Sequence, residues 1–234
     1  MMSSPNTFYE MRLKGKSPEE IMTVIRNLKR EIGRLKNILE HPNYDSRETA
    51  MHPSEEIQVF YSQLYLERAK QAFVEAGGEY VPSAAERKAM EFDANIPYIN
   101  KIEFTIGGYF GGYTTKIYTI EDDKVYEASE YSLCIDVPEP KDSFESWDKA
   151  EFLDLFKSLR IGGWRKYYTL KRFGLIILDG TQWDLKIHYS NGCKPVKIFG
   201  NNAYPYNFDN LLRLFSLDDY LSVEVDEGEE EKGE

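Results

Sequence analysis

The stretch IEFTIGGYFGGYTTKIYTI, residues 102–120, decides between two architectures. The glycine pairs at 107–108 and 111–112 could form a phosphate cradle. Such a loop needs its backbone amides aimed by the N-terminus of a following helix. It also needs a spacing such as G-x-G-x-x-G or G-x-x-x-x-G-K-[ST]. Residues 107–112 fit neither, and the TTKIYTI that follows is β-branched and aromatic, a strand by propensity. Ile102, Phe104 and Ile106 alternate ahead of the glycines, which marks a half-buried strand on that side too. The stretch therefore reads as a bent hairpin or glycine-kinked strand in an antiparallel sheet. Bare glycine backbone also lets a ligand or partner chain come close, with Tyr109 and Tyr113 as the contacts.

Further along, FGLIILDGTQWDLKIHYSNGCKPVKIFG (173–200) continues the β texture. Asp179-Gly180 and Asn191-Gly192 are expected to be two-residue hairpin turns, because such turns need positive φ. Trp183, Leu185, Ile187 and Tyr189 share one face of the middle strand, and Gln182, Asp184, Lys186 and His188 share the other. A turn at Asn191-Gly192 sets Ile187 opposite Val196 and Leu185 opposite Ile198, so both strands bury one side. Residues 147–160 carry Phe152, Leu155, Phe156 and Leu159 at helical spacing, with Gly162-Gly163 beyond. Asn207 is expected to cap a last helix bearing Phe208, Leu211, Leu212 and Phe215.

Upstream the period changes to helical. Ser17-Pro18-Glu19-Glu20 is a helix start with the capping-box spacing. Ile21, Ile25, Leu28, Ile32, Leu35 and Leu39 follow as a heptad seam that needs a partner helix. Pro53-Ser54-Glu55-Glu56 opens a second helix that ends at Gly77-Gly78. The two helices can close on each other as an antiparallel hairpin, or helix 17–40 can pair in a homodimer. Ser83 and Glu86 repeat the capping spacing for a short third helix ending before Pro97.

Together these readings give an α+β chain: an N-terminal antiparallel helical hairpin, then an antiparallel sheet domain with helices packed on one face. The boundaries fall at 1–97, 98–217 and an acidic tail at 218–234. The net charge of −11 is concentrated in that tail, whose nine acids and one lysine carry −8 and leave −3 for residues 1–217. A charge run of this kind is read as a solvated, disordered terminus rather than a nucleic-acid mimic. Cys134 and Cys193 are too few for a disulfide scaffold, and no signal peptide or membrane span is legible. They are read as reduced thiols in the cytoplasm.

The chemistry-bearing residues are sparse. His41 and His52 each precede a proline at the ends of one loop, without the cysteine or carboxylate pattern of a metal site. His188 and Asp184 lie about 13 Å apart along a strand, too far for a dyad. No nucleophile motif, cofactor loop or metal set emerges, so an enzyme has no support in the sequence. The most function-like segment is RIGGWRKYYTLKRFG (160–174), where Arg160, Arg165, Lys166, Lys171 and Arg172 interleave with Trp164 and Tyr168. No acid lies between Asp154 and Asp179. Cations for phosphates alternating with rings for bases would suit single-stranded nucleic acid. The same pattern arises when the rings pack beneath a sheet and the basic stems lie over it.

The C-terminal pattern Trp164…Tyr168…LDGTQW (178–183)…NG…GNNAYPYNF (200–208) resembles a recurring segment of bacterial proteins, some from mobile-element neighbourhoods. The resemblance implies a bacterial cytoplasmic protein and supplies neither an activity nor catalytic residues. The expected function is non-catalytic binding of another protein, such as a regulator or inhibitor carried by a mobile element. The contacts are expected around Tyr109 and Tyr113 and along 160–172. Nucleic-acid or polyanion binding through 160–172 is the alternative, and no membrane partner is expected.

Overall fold

Serine–proline steps begin the helical part. A computed structural model of the chain describes residues 3–44, 53–134, 142–175 and 179–220. Helix α2 (Pro18–Leu39) starts as expected, with Ser17 Oγ accepting from the Glu20 amide and the Glu20 carboxylate accepting from the Ser17 amide. A shorter helix α1 (Pro5–Arg12) precedes it, capped by Ser4 with Pro5 in its first turn. Ser4-Pro5 repeats the Ser17-Pro18 signal at its start. Helix α3 (Glu55–Glu75) packs along α2. The seam closes within the chain: Ile21 and Ile25 bury against Ala69, Ala72 and Phe73, with Leu13 from the segment after α1. Helix α4 (Ala84–Asn95) carries a second complete capping box, Ser83 with Glu86.

Seven strands then build one sheet: β1 (Ile99–Gly108), β2 (Gly112–Glu121), β3 (Lys124–Ser132), β4 (Phe144–Asp148), β5 (Tyr167–Thr169), β6 (Gln182–Tyr189) and β7 (Val196–Asn201). Their order is β4-β3-β2-β1-β6-β7-β5, antiparallel except for the parallel β7–β5 pair. Helices α5 (Lys149–Ser158) and α6 (Phe208–Leu214) contribute to the sheet's buried cluster. Tyr118 stacks between Phe152 and Phe215 at 5.3 and 4.7 Å, and Trp183 lies 4.8 Å from Phe208. Burying rings of this size supplies most of the driving force for docking helices on a sheet.

The β6–β7 register is the expected one, with Ile187 opposite Val196 and Leu185 opposite Ile198. The ladder stops there because Pro195 has no N–H to donate, and only Gly192 of the turn pair adopts positive φ, 80°. The Asp179-Gly180 hairpin is corrected. Both edges of β6 are taken, by β1 and β7, so a strand before Asp179 has no edge to pair with. Residues 170–173 form a 3₁₀ turn instead, and residues 176–178 of that expected strand lie outside the described residues. The helix expected from 147 is preceded by β4 and starts at Lys149, where Asp148 caps two amides. Asn207 precedes α6 but does not cap it. Its side chain accepts from Trp164 Nε1 at 3.0 Å and donates to the Leu159 carbonyl at 2.7 Å. His52 and the tail from residue 221 lie outside the described residues.

Candidate functional site

The glycine pairs sit where β1 turns into β2. Gly108 pairs with Gly112, and Tyr109, Phe110 and Gly111 form the tip. No helix follows, so the hairpin reading holds and there is no phosphate cradle of the helix-terminus kind. Gly107, Gly108 and Gly112 are there for space. A Cβ on Gly107 would lie 2.1 Å from the Gly112 carbonyl oxygen, and one on Gly112, where φ is 69°, would lie 2.5 Å from Tyr131 Oη. Gly108 abuts the Gly180 carbonyl in the same way, and Asn202 fixes that approach by accepting from the Thr181 amide at 2.7 Å.

This packing drives the tip outward. Tyr109 and Phe110 are 78% and 84% exposed and pack edge-on with each other at 5.2 Å. Tyr131 and Leu133 at the end of β3 are also exposed, and Tyr131 donates to the Gly111 carbonyl. Tyr113 is a correction: it is buried, because β2 turns its side chain away from solvent just after the bend. Behind the tip lies a groove of about 600 Å³ floored by the glycines. Tyr204, Tyr206 and Tyr220 wall it, together with Asp209 and Asp219. Burial pushes the Tyr204 and Tyr206 phenols above their ordinary pKa. The carboxyl of Asp209 is exposed at its outer edge, but the wall behind it lifts its pKa against the pull of Arg213.

In the segment 160–172 the arrangement with rings packed beneath the sheet is the one found for Trp164 and Tyr168. Trp164 and Tyr168 are buried in the sheet core, Trp164 beside Trp183 at 6.4 Å and Tyr168 at 5.8 Å. Their rings are therefore closed to bases. Three of the cations dock the helical hairpin. Arg160 donates to Glu67 at 2.9 Å, Arg172 reaches Glu40 at 2.5 Å and Arg165 lies 3.4 Å from the same carboxylate. Asn37 accepts from both Arg165 and Arg172. Lys166 and Lys171 stay exposed. Sequence reasoning missed Glu40, whose partners lie more than a hundred residues away and leave no local signal.

His41 and His188 take structural places. His41 meets Phe173 edge-on at 4.8 Å. His188 Nε2 lies 3.2 Å from Glu103 on β1, at a geometry that is not a hydrogen bond. Burial works against the charge on Glu103, yet Lys101, His188 and Lys186 together hold its carboxyl below the usual range. Among the described residues, no three His, Cys, Asp or Glu side chains are grouped to hold a metal ion. No described helix is long and apolar enough to cross a membrane. Cys134 and Cys193 are both exposed thiols.

No protein-family model, curated protein or solved structure matches this chain.

Proposed function

We propose that the protein works by binding another protein through the glycine-hairpin end of its sheet. The observation that carries this reading is the group of large apolar side chains held out at one end: Tyr109, Phe110, Tyr131 and Leu133. Folding gains nothing from exposing them, whereas aromatic anchors of this kind dominate interface energetics. The bend beneath them is fixed by glycine packing, so little ordering is lost on binding. The adjacent groove, with Asp209 and Asp219 in its wall, favours a partner that brings arginine or lysine beside its apolar contact.

The test is quantitative copurification from the native host, with the wild-type chain and the Tyr109→Ser/Phe110→Ser double variant compared side by side. A specific partner should be recovered by the wild type and lost by the variant, with unchanged thermal unfolding. Equal recovery by both chains would refute the reading.

A further inference from the structure

At the opposite end of β6 from the glycine hairpin, the surface changes character. A cavity of about 470 Å³ opens where α4, the 161–166 segment and the start of β7 meet. Its cations are Lys88, Arg165, Lys166, Lys194 and Lys197, against one carboxylate, Glu91. A second depression of about 320 Å³, on the other face of β7, is bordered by the same Lys166, Pro195, Lys197 and Ile198. Its single acid, Asp184, faces Lys186 at 3.4 Å. Two of the cations are already engaged: Lys88 donates to the Trp164 carbonyl at 3.1 Å, and Arg165 faces Glu40. Lys166 rests 5.4 Å from the Tyr167 ring. Lys194 and Lys197 face no carboxylate within ion-pair reach among the described residues, in a chain whose net charge is −11.

Rings accompany these charges. Tyr167 on β5 is exposed and stands beside Phe199 on β7 through the parallel pairing, and both line the second depression. Tyr189 lines the first, over a floor that includes Ile161 and Ile198. We propose that this basic surface, across both depressions, binds single-stranded nucleic acid. Lysines along a channel neutralise successive phosphates, and exposed rings offer stacking surfaces that any base can use. Two depressions bordered by the same Lys166 and Lys197 suit a strand passing over the edge of β7 better than one free nucleotide. The basic segment thus contributes Arg165 and Lys166 to a surface completed by residues distant in sequence, while Arg160 and Arg172 hold the helices.

Fluorescence anisotropy with a labelled oligothymidylate of about a dozen nucleotides tests this, at about 50 mM and about 200 mM salt. Binding should weaken with salt by about 0.7 in log K per unit log salt for each phosphate contact. Lys194→Ala/Lys197→Ala should cost about tenfold or more at low salt and make the salt slope shallower. Tyr167→Ser should weaken binding with the slope kept. Tyr109→Ser/Phe110→Ser should leave oligothymidylate affinity and its salt slope unchanged, which separates this surface from the protein-binding end. No binding at the lower salt, or unchanged affinity in the lysine double variant with native circular dichroism, would overturn the proposal. Equal affinity for polyglutamate would replace base stacking by charge alone and overturn it too. A free nucleotide bound as tightly as the oligomer would likewise reject a strand.

Discussion

Arg172 Nη1 lies 2.5 Å from Glu40 Oε2, and this contact joins the helical hairpin to the sheet. Glu40 is almost fully buried at the end of α2, with Arg165 as its second cation. Removing one partner leaves the other's charge or polar atoms desolvated, which costs more than the intact pair contributes. Because Arg172 is partly exposed, Arg172→Ala is expected to cost about 2 kcal/mol, below the range for a wholly buried pair. Urea unfolding of Arg172→Ala, Glu40→Gln and the double variant would show it. Non-additive losses are expected, since both residues share one contact.

The hairpin glycines give a sharper expectation. A methyl group at residue 107 would sit 2.1 Å from a backbone oxygen that the β1–β2 pairing fixes. No side chain can rotate away to relieve it. Gly107→Ala should therefore destabilise by about 1–3 kcal/mol, the usual cost of overpacking. Gly111→Ala should be nearly silent, because nothing lies within 4 Å of the Cβ it would gain. Thermal unfolding of the two variants should differ clearly. Equal melting temperatures would mean that the bend does not depend on close backbone approach.

The contrast between these two sites shows what was legible in the sequence. Periodicity and capping chemistry are local, so the capping boxes of α2 and α4, the glycine bend and the β6–β7 register could all be read from neighbouring residues. Which strand lies beside which is not local. The Asp179-Gly180 pair looked like a turn because nothing nearby announces that β1 occupies that edge of β6. Tyr113 reads as a surface contact, and Trp164 as either surface or core, for a related reason: composition places aromatic and basic residues together, but only the fold decides which of them turn inward. The basic segment stands out by its composition, yet its acids sit at positions 40 and 67. The lysines that complete its surface sit at 88, 194 and 197.

Glu86 carries a pH prediction. Its carboxylate accepts from Lys29 at 2.7 Å, Tyr80 Oη at 2.6 Å and the Ser83 amide at 2.9 Å, and Lys70 lies 2.6 Å away. One side chain thus ties α2, α3 and the start of α4. Partial burial disfavours its charge, but these partners outweigh it and hold the carboxyl well below the ordinary range. A carboxyl with a lowered folded-state pKa contributes stability that is present above the unfolded pKa, about 4.3. That contribution fades as pH falls below this value and the unfolded chain takes up the proton first. Wild-type stability should therefore drop below about pH 4.3 more steeply than that of Glu86→Gln. The variant should be weaker by about 2 kcal/mol at neutral pH. Parallel acid slopes for the two proteins would refute the assignment.

Lys36 acts in the opposite direction and on the basic side. Its Nζ lies 4.1 Å from the Tyr206 ring centroid. Burial lowers its pKa to about 8, with Glu40 opposing the shift and the charges of Arg160 and Arg165 adding to it. Below pH 8 both folded and unfolded chains carry this proton, so the folded state bears the full cost of the buried charge. As pH rises from about 8 towards the unfolded value near 10.4, the folded chain releases the proton first and that cost is relieved. Lys36→Met should then raise stability at neutral pH by on the order of 2 kcal/mol, less whatever the ring contact contributes. The advantage should shrink through the same interval. Comparing the pair cancels the ionisation of the buried tyrosines, which begins to remove stability at the top of this range. Chemical unfolding of both chains at several pH values from neutral upward reads the effect, and a constant difference across the interval would show that Lys36 keeps an ordinary pKa.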